Sequence, residues 1–195
     1  QGNLTTELEA VRQAGHYLEG AAAYLRSRGV GRVSVRVWYG EADQAIANAA
    51  TREEGSIIGM STHGRSGLDW LRLGSVAERV VRRAPVPVLL VRGNPTWDAG
   101  GLAQILIPLD GSGTSEAVIP IVACLAGPFD LGIQLLHVIE RPSPEAEAYL
   151  AEVARRLETR GLRVGVSVRA GSPLEVIPAF AAETKCGLIA MSTHG

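Results

Sequence analysis

Short apolar runs alternate along the chain with longer segments in which apolar residues recur at helical spacing. In the first half, helical spacing covers residues 4–28, 41–54 and 75–83, and strand-like runs cover residues 33–38, 56–60 and 86–91. In the second half, helices are predicted at residues 115–126, 144–160 and 173–185, and strands at residues 105–109, 134–139, 164–168 and 188–191. Val, Ile and Leu dominate the strand runs, which is typical of parallel strands covered on both faces. The pattern therefore predicts an open α/β fold with helices on both faces of parallel sheets.

The chain contains two copies of one unit. Residues 33–64 and 164–195 align without a gap, and 12 of the 32 aligned positions are identical. Both segments end in Met-Ser-Thr-His-Gly, at residues 60–64 and 191–195. We therefore predict two tandem units, residues 1–93 and 102–195, joined by a turn-rich linker at residues 94–101. Compared with each other, the first unit lacks its first two strands and the second lacks its last helix and strand.

Composition narrows the classes of function. The chain has 195 residues, of which 46% are hydrophobic, and its 19 basic residues nearly balance its 20 acidic ones. This balance argues against a protein that binds nucleic acid or a membrane surface through bulk charge. No apolar run is long enough to span a bilayer and no signal segment is recognised, so a cytoplasmic location is expected. Cys124 and Cys186 lack metal-ligand spacing and are interpreted as buried thiols.

Ligands of open parallel sheets bind beyond the carboxyl ends of the strands, so the loops there are the candidate site. The strand at 105–109 is followed by Asp110 and Gly111. One interpretation is a turn in which the aspartate folds back on its own backbone. The other is a carboxylate that faces the crevice and meets a nucleoside or a metal-bound phosphate. A standard P-loop is excluded, because the single lysine, Lys185, follows no glycine run.

A second candidate segment follows the strand at 56–60. Residues 61–67, and then Gly74 and Ser75, are rich in Gly, Ser and Thr, whose amides and hydroxyls suit anion binding. Ser75 and Glu78 also have the spacing of a capping box, so Ser75 is expected to cap a helix, a role compatible with phosphate binding. Ser172 and Glu175 form a second predicted capping box in the other unit.

These motifs resemble the universal stress protein family, and the resemblance covers nearly the whole chain. The family motif is Gly-x-x-Gly, nine residues, and then Gly-Ser or Gly-Thr. Here Ser61 to Gly64 is followed by nine residues and then by Gly74 and Ser75, with serine in place of the first glycine. The resemblance implies two units that, when complete, each have a five-stranded parallel sheet of order 3-2-1-4-5. It also implies an ATP site between the ends of the first and fourth strands.

The resemblance assigns roles to individual residues. Pro108 and Asp110 match residues that line the nucleotide site, and Val138 matches the position that meets adenine through its backbone. In the second unit the candidate cofactor-binding residues are Pro108, Asp110, Gly111, Val138, Gly171, Met191, Ser192, Thr193, His194 and Gly195. In the first unit they are Gly40, Met60, Ser61, Thr62, His63, Gly64, Arg65, Ser66, Gly67, Gly74, Ser75, Val76 and Ala77. No residue is predicted to be catalytic or to ligate a metal.

The function that follows is an ATP-binding protein with a regulatory or stress-protective role. ADP and AMP are alternative ligands, Mg is an accompanying ion, and enzymatic activity is limited to slow ATP hydrolysis at most. Assembly is expected as a homo-oligomer or as an intrachain pseudo-dimer through the last strands, here residues 87–91. The alternative is a dimeric scaffold that binds no nucleotide, with Ser61 and Ser192 marking the loss of the site. A ligase or hydrolase of related architecture is disfavoured, because residues 110–114 are not a Ser-Gly-Gly pyrophosphate loop.

Overall fold

The chain forms two compact units, Gln1–Asn94 and Pro95–Gly195, here called unit 1 and unit 2. The structure, a computed structural model, describes residues 2–52, 54–62, 73–92, 102–140 and 144–192, with side chains from residue 8 onward. The predicted linker at residues 94–101 lies outside this part of the chain. Each unit is described by itself.

Helices and strands alternate through both units, as the apolar pattern predicts. Unit 1 contains helix α1 (Gly2–Ser27), helix α2 (Ala42–Ala50), strand β1 (Ile58–Ser61), helix α3 (Ser75–Arg83) and strand β2 (Val88–Val91). Unit 2 contains strand β3 (Gln104–Pro108), helix α4 (Gly113–Glu116), helix α5 (Ile119–Ala126), strand β4 (Gly132–Ile139), helix α6 (Pro144–Glu158), strand β5 (Val164–Ala170), helix α7 (Pro173–Glu183) and strand β6 (Leu188–Ile189).

The sheet of unit 2 is parallel and has four strands in the order β5-β4-β3-β6. Counted along the unit, this order is 3-2-1-4, which confirms the predicted topology for the strands that are described. β3 pairs with β4 through residues such as Ile105 opposite Ile133, and it pairs with β6 through Ile105 opposite Leu188. All carboxyl ends of the strands therefore lie at one edge of the sheet.

Apolar residues fill both faces of this sheet, which explains why its strands are nearly continuous Val, Ile and Leu. On one face, Ile105, Ile107 and Leu135 pack in a core with residues of α5 and α6. On the other face, Leu106 and Leu136 pack against Phe180 of α7 and its neighbours. Because successive side chains of a strand alternate between faces, the odd and even positions of β3 serve different cores.

The predicted strand at residues 33–38 is wrong, because this segment makes no strand pairing in unit 1. The repeat provides the physical reason. The matching segment of unit 2 is β5, which pairs with β4, and the described part of unit 1 contains no strand that corresponds to β4. Without a neighbour to accept and donate backbone hydrogen bonds, an apolar run with strand propensity does not become a strand.

The predicted helix at residues 115–126 is also corrected, since the structure divides it into α4 and α5. Pro120 lies in the first turn of α5 and has no N–H group to donate to the carbonyl of Glu116. A continuous helix would therefore lose a hydrogen bond at this point. The cysteines differ from expectation as well, because Cys124 is exposed on α5 and Cys186 is half-buried.

A buried carboxylate joins two helices of unit 1. Asp43 of α2 is 1% exposed, and its Oδ1 and Oδ2 accept hydrogen bonds from Arg79 Nε at 3.0 Å and Arg83 Nη1 at 2.8 Å. Burial acts to raise the pKa of Asp43, but the hydrogen bond from Arg79 and the charges of both arginines outweigh it and lower the pKa below 3.8. The two ion pairs of Asp43 therefore hold α3 against α2.

Replacing Asp43 with asparagine should lower the melting temperature of the protein, because two arginines then lose their partner. Calorimetry at neutral pH measures this loss. The difference between wild type and Asp43→Asn should shrink as the pH falls below 3.8, because a carboxylate whose pKa is lowered by folding stabilises fully above its unfolded pKa and loses this contribution as the pH falls through its folded pKa.

Arg82→Gln is the matched control for Asp43→Asn. Arg82 lies on α3, the helix that carries Arg79 and Arg83, and it pairs with Glu78 at 3.1 Å, but both side chains are exposed. Pairs of this kind contribute little, so the control should melt close to wild type. Equal losses in the two variants would contradict the role given to Asp43.

A candidate ligand-binding cleft in unit 2

A cleft of about 230 Å³ opens at the carboxyl ends of β3, β4 and β6. Residues from these strand ends, from the turn after β3 and from the start of α7 form its walls. The lining residues are Pro108, Leu109, Asp110, Ser115, Leu136, Val138, Pro173, Ile177, Met191 and Ser192. The position agrees with the general rule that open parallel sheets bind ligands beyond the carboxyl ends of their strands.

The polar side of the cleft is the turn that joins β3 to α4. Asp110 Oδ1 accepts a hydrogen bond from the backbone N–H of Ser112 at 2.8 Å. Ser112 Oγ in turn accepts from the N–H of Ser115 at 3.1 Å, which makes Ser112 the N-cap of α4. Gly111 has φ +85°, a conformation that glycine adopts without strain. The predicted fold-back of Asp110 on its own backbone is thus confirmed, and the same residue also lines the cleft.

Hydrogen bonds hold Asp110 in its charged form. The side chain and the backbone N–H of Ser112, followed by the side chain of Ser115, lower the pKa of Asp110 to about 2. At neutral pH the carboxylate is therefore fully ionised, and it can only accept hydrogen bonds. A ligand group that meets it must be a hydrogen-bond donor, such as a hydroxyl, an amine or an N–H, or a cation.

The opposite side of the cleft is apolar. Leu136 and Val138 come from β4, and Pro173 and Ile177 come from α7. Pro173 and Ile177 are four residues apart, so they project from the same face of the helix. Gly171, with φ +137°, makes the turn from β5 into α7, and a Cβ there would lie 3.0 Å from Cγ2 of Val176. An apolar wall facing a few fixed polar groups is typical of small-molecule sites.

The structure brings together five of the residues expected from the sequence. Pro108, Asp110, Val138, Met191 and Ser192 all line the cleft. Gly111 and Gly171 shape the two turns beside it without lining it. Thr193, His194 and Gly195 lie outside the described residues.

Five lining residues were missed by sequence reasoning. They are Leu109, Ser115, Leu136, Pro173 and Ile177. Ser115 could have been found from its hydroxyl one turn after Asp110. The contribution of α7 could not, because the packing of this helix across β4 is a tertiary feature without a local motif.

In unit 1, the described part of the expected phosphate segment surrounds the start of α3. The N–H of Gly74 donates to the carbonyl of Thr62 at 2.9 Å, and a Cβ on Gly74 would lie 3.1 Å from that oxygen. A side chain at this position would therefore be crowded against the Thr62 carbonyl. Met60 and Ser61 lie on β1, Val76 and Ala77 lie in α3 with Ala77 buried, and Gly40 has φ +114° before α2. His63, Gly64, Arg65, Ser66 and Gly67 lie outside the described residues.

Both predicted capping boxes are wrong. The N-cap of α3 is Gly74 rather than Ser75, and Ser75 is already helical. Ser172 is the N-cap of α7, but its side chain makes no capping hydrogen bond, and the N–H of Glu175 donates instead to the Ser172 carbonyl at 3.0 Å.

The described part of the chain contains no helix that is long and apolar enough to cross a membrane. Among the same residues, no group of three or more His, Cys, Asp or Glu side chains is placed to share a metal ion.

Solved structures show the same fold. A universal stress protein from Archaeoglobus fulgidus DSM 4304 superposes with a TM-score of 0.80 at 21% identity, over 93% of this chain and 66% of that chain. A protein from Pseudomonas aeruginosa PAO1, described as functionally unknown, gives a TM-score of 0.61 at 20% identity, over 89% of this chain and 65% of that one. At these identities the likeness concerns the fold alone.

Curated relatives match over shorter segments. A universal stress protein of Thermus aquaticus is 42% identical over 64 residues, which are 33% of this chain and 47% of the relative. Another, from Methanocaldococcus jannaschii, is 45% identical over 47 residues, 24% of this chain and 28% of the relative. The matches thus span less than half of either relative. The model of the universal stress protein family matches residues 2–92 and 102–195, which is most of the sequence. The chain therefore belongs to the universal stress protein family.

Proposed function

We propose that unit 2 binds an adenine nucleotide, ATP with ADP and AMP as alternatives, and that binding serves a regulatory or stress-protective role. The observation that carries this proposal is the cleft at the ends of β3, β4 and β6, in which an ionised Asp110 faces an apolar wall. Membership in the family supports the choice of nucleotide.

The chemistry of the two walls suits a nucleoside. Val138, Leu136 and Ile177 offer an apolar surface to the faces of a purine ring. The carboxylate of Asp110 accepts from a ribose hydroxyl, since an ionised carboxylate requires a donor. Pro108 narrows the same end of the cleft without adding an N–H group that would need a partner.

Charge gives the ligand a direction. A phosphate beside Asp110 would be repelled, so the phosphates extend away from it, past Ser192. A cavity of about 230 Å³ is smaller than typical small-molecule pockets of about 300–1,000 Å³, which agrees with a nucleoside inside and phosphates beyond it. Mg²⁺ then arrives with the phosphates, as is usual for this ion.

Nucleoside recognition is assigned to unit 2, because its described residues Pro108, Asp110 and Val138 line the cleft. Residues 61–67 and 74–77 of unit 1 stay candidate phosphate contacts. Assembly of copies or units is assigned to β2, which pairs with β1 on one edge among the described strands.

The direct test is to extract the purified protein, identify any released nucleotide by mass and measure ATP binding by calorimetry. An adenine nucleotide that co-purifies, or a saturable ATP titration, supports the proposal. If no nucleotide is released and millimolar ATP does not raise the melting temperature, the proposal fails, because a ligand of the native state must stabilise it. The scaffold function would then be favoured.

Replacing Asp110 with asparagine should raise the Kd for ATP about tenfold, because the ligand's donor then meets a neutral acceptor in place of a charged one. Calorimetric titration at neutral pH measures the change. Asp130→Asn is the control, since Asp130 is an exposed aspartate of the same unit that pairs with Arg163 and does not line the cleft. Unchanged affinity in Asp110→Asn would contradict its assigned contact.

Filling the apolar wall gives an independent prediction. Val138→Trp should raise the Kd for ATP by about tenfold or more, because the larger side chain occupies the cleft. Val166→Trp on the neighbouring strand β5 is the control, because Val166 is 48% exposed and outside the cleft. If both variants keep their melting temperatures and bind ATP equally well, the ligand does not occupy this cleft.

A further inference from the structure

Hydrogen bonds connect the turn beside the cleft with the surface of α6. Ser115 lines the cleft, and the next residue, Glu116, is the last residue of α4. Glu116 Oε1 accepts from the hydroxyl of Tyr149 at 3.0 Å, and Oε2 accepts from Arg156 Nη2 at 2.7 Å. Tyr149 and Arg156 both belong to α6. The turn that carries Asp110 is thus tied to a helix that supplies no lining residue of the cleft.

Tyr149 is held firmly in this arrangement. Its ring packs on the core and meets the ring of His137 edge-on, with 5.9 Å between centroids. Burial first, and then the bond to Glu116, raise the pKa of Tyr149 to about 12, while the hydroxyl of Ser115 acts in the opposite direction. The phenol therefore stays a protonated donor at any working pH, close enough to Ser115 to interact with it.

Glu116 is a matching acceptor. Its side chain is 26% exposed, and the hydrogen bond from Arg156 lowers its pKa despite partial burial. Both partners therefore hold the protonation state that the contact requires. Hydrogen bonds to an ionised acceptor are stronger than neutral ones.

The turn needs such an anchor. Helix α4 has four residues, and a single helical turn is not stable by itself. Asp110 is exposed, and its position depends on Ser112 and Ser115 within the same turn. Whatever fixes α4 against the body of unit 2 therefore also fixes Asp110 and Ser115 in the cleft.

We propose that Glu116, Tyr149 and Arg156 are positioning residues for the ligand of the cleft, so that its affinity depends on a contact with α6 outside the cleft. The inference rests on the proposed function, because it concerns the affinity of the same site. The affinity of the site could then be changed from the protein surface. Arg156 is half exposed, and its bond to Glu116 can be broken without touching the ligand. If the contact between α4 and α6 raises the affinity for the ligand by a certain factor, bound ligand must by linkage stabilise that contact by the same factor.

Helix α6 provides a matched control. Arg155, beside Arg156, pairs with Glu152 at 2.7 Å, and this pair stays within α6. Arg155→Gln and Arg156→Gln therefore remove the same charge from adjacent positions, and only the second removes a bond to α4.

The test measures the Kd for ATP by calorimetry and the melting temperature without ligand, for the full chain. Tyr149→Phe keeps the ring contact with His137 and removes the donor to Glu116. We expect Tyr149→Phe and Arg156→Gln to raise the Kd about 3- to 10-fold, and Arg155→Gln to leave it unchanged. Arg156→Lys should restore part of the affinity, because it keeps the charge. In the double variant Arg156→Gln, Asp110→Asn, the Kd should rise by less than the product of the two single increases, because both substitutions act through the same turn.

The outcomes separate this inference from the function on which it rests. If the wild-type protein binds no nucleotide, the proposed function fails. If the wild type binds and Tyr149→Phe and Arg156→Gln bind as tightly as Arg155→Gln, the positioning role is overturned while the function stands. A lowered melting temperature with an unchanged Kd overturns it equally, because this result is the signature of a purely structural contact.

Discussion

Unit 2 is organised around the pairing of β3, which has β4 on one side and β6 on the other. Ile105, Leu106 and Ile107 are fully buried, so this strand has packing partners on both faces as well as on both edges. A strand held in four directions cannot slide or tilt without breaking backbone hydrogen bonds and opening a cavity. The residues at its end, Pro108 and the buried Leu109, therefore have a fixed place at the edge of the sheet.

The apolar wall of the cleft is held rigidly by the sheet, and the polar wall is not. The apolar wall consists of residues on β4 and on the first turns of α7, which packs on the second core of the sheet. The polar wall is a turn closed by Asp110, Ser112 and Ser115, with hydrogen bonds between 2.8 and 3.4 Å. The apolar wall therefore restricts the shape of the ligand, and the turn that carries Asp110 restricts its charge. We therefore propose that the affinity of this site depends on where the turn is anchored.

Much of this fold could be predicted from the sequence, because its parallel strands are apolar on both faces and the chain repeats itself. The failures have physical causes. Residues 33–38 have the composition of a strand, but a strand also requires a neighbour, which the described part of unit 1 does not offer. Ser75 has the spacing of a cap, yet the close approach of Gly74 to Thr62 sets the start of the helix.

In the site, too, local sequence patterns predict some residues, while others depend on tertiary packing. Asp110 and Val138 follow or end strands, so their place at the carboxyl edge could be inferred from the pattern and the family motif. Ile177 and Glu116 could not, because their roles depend on where α7 and α6 pack against the sheet. Sequence reasoning therefore finds the residues that a strand positions and misses those that helix packing positions.

The two methionines of the chain allow the central claim, nucleoside recognition by unit 2, to be tested directly. Met191 lines the cleft, and Met60 occupies the equivalent position on β1 of unit 1. Labelling both methyl groups with carbon-13 gives two NMR signals, which Met60→Leu assigns. On titration with ATP, the Met191 signal should shift and saturate. A titration that leaves Met191 unchanged, or that moves Met60 alone, would contradict the account.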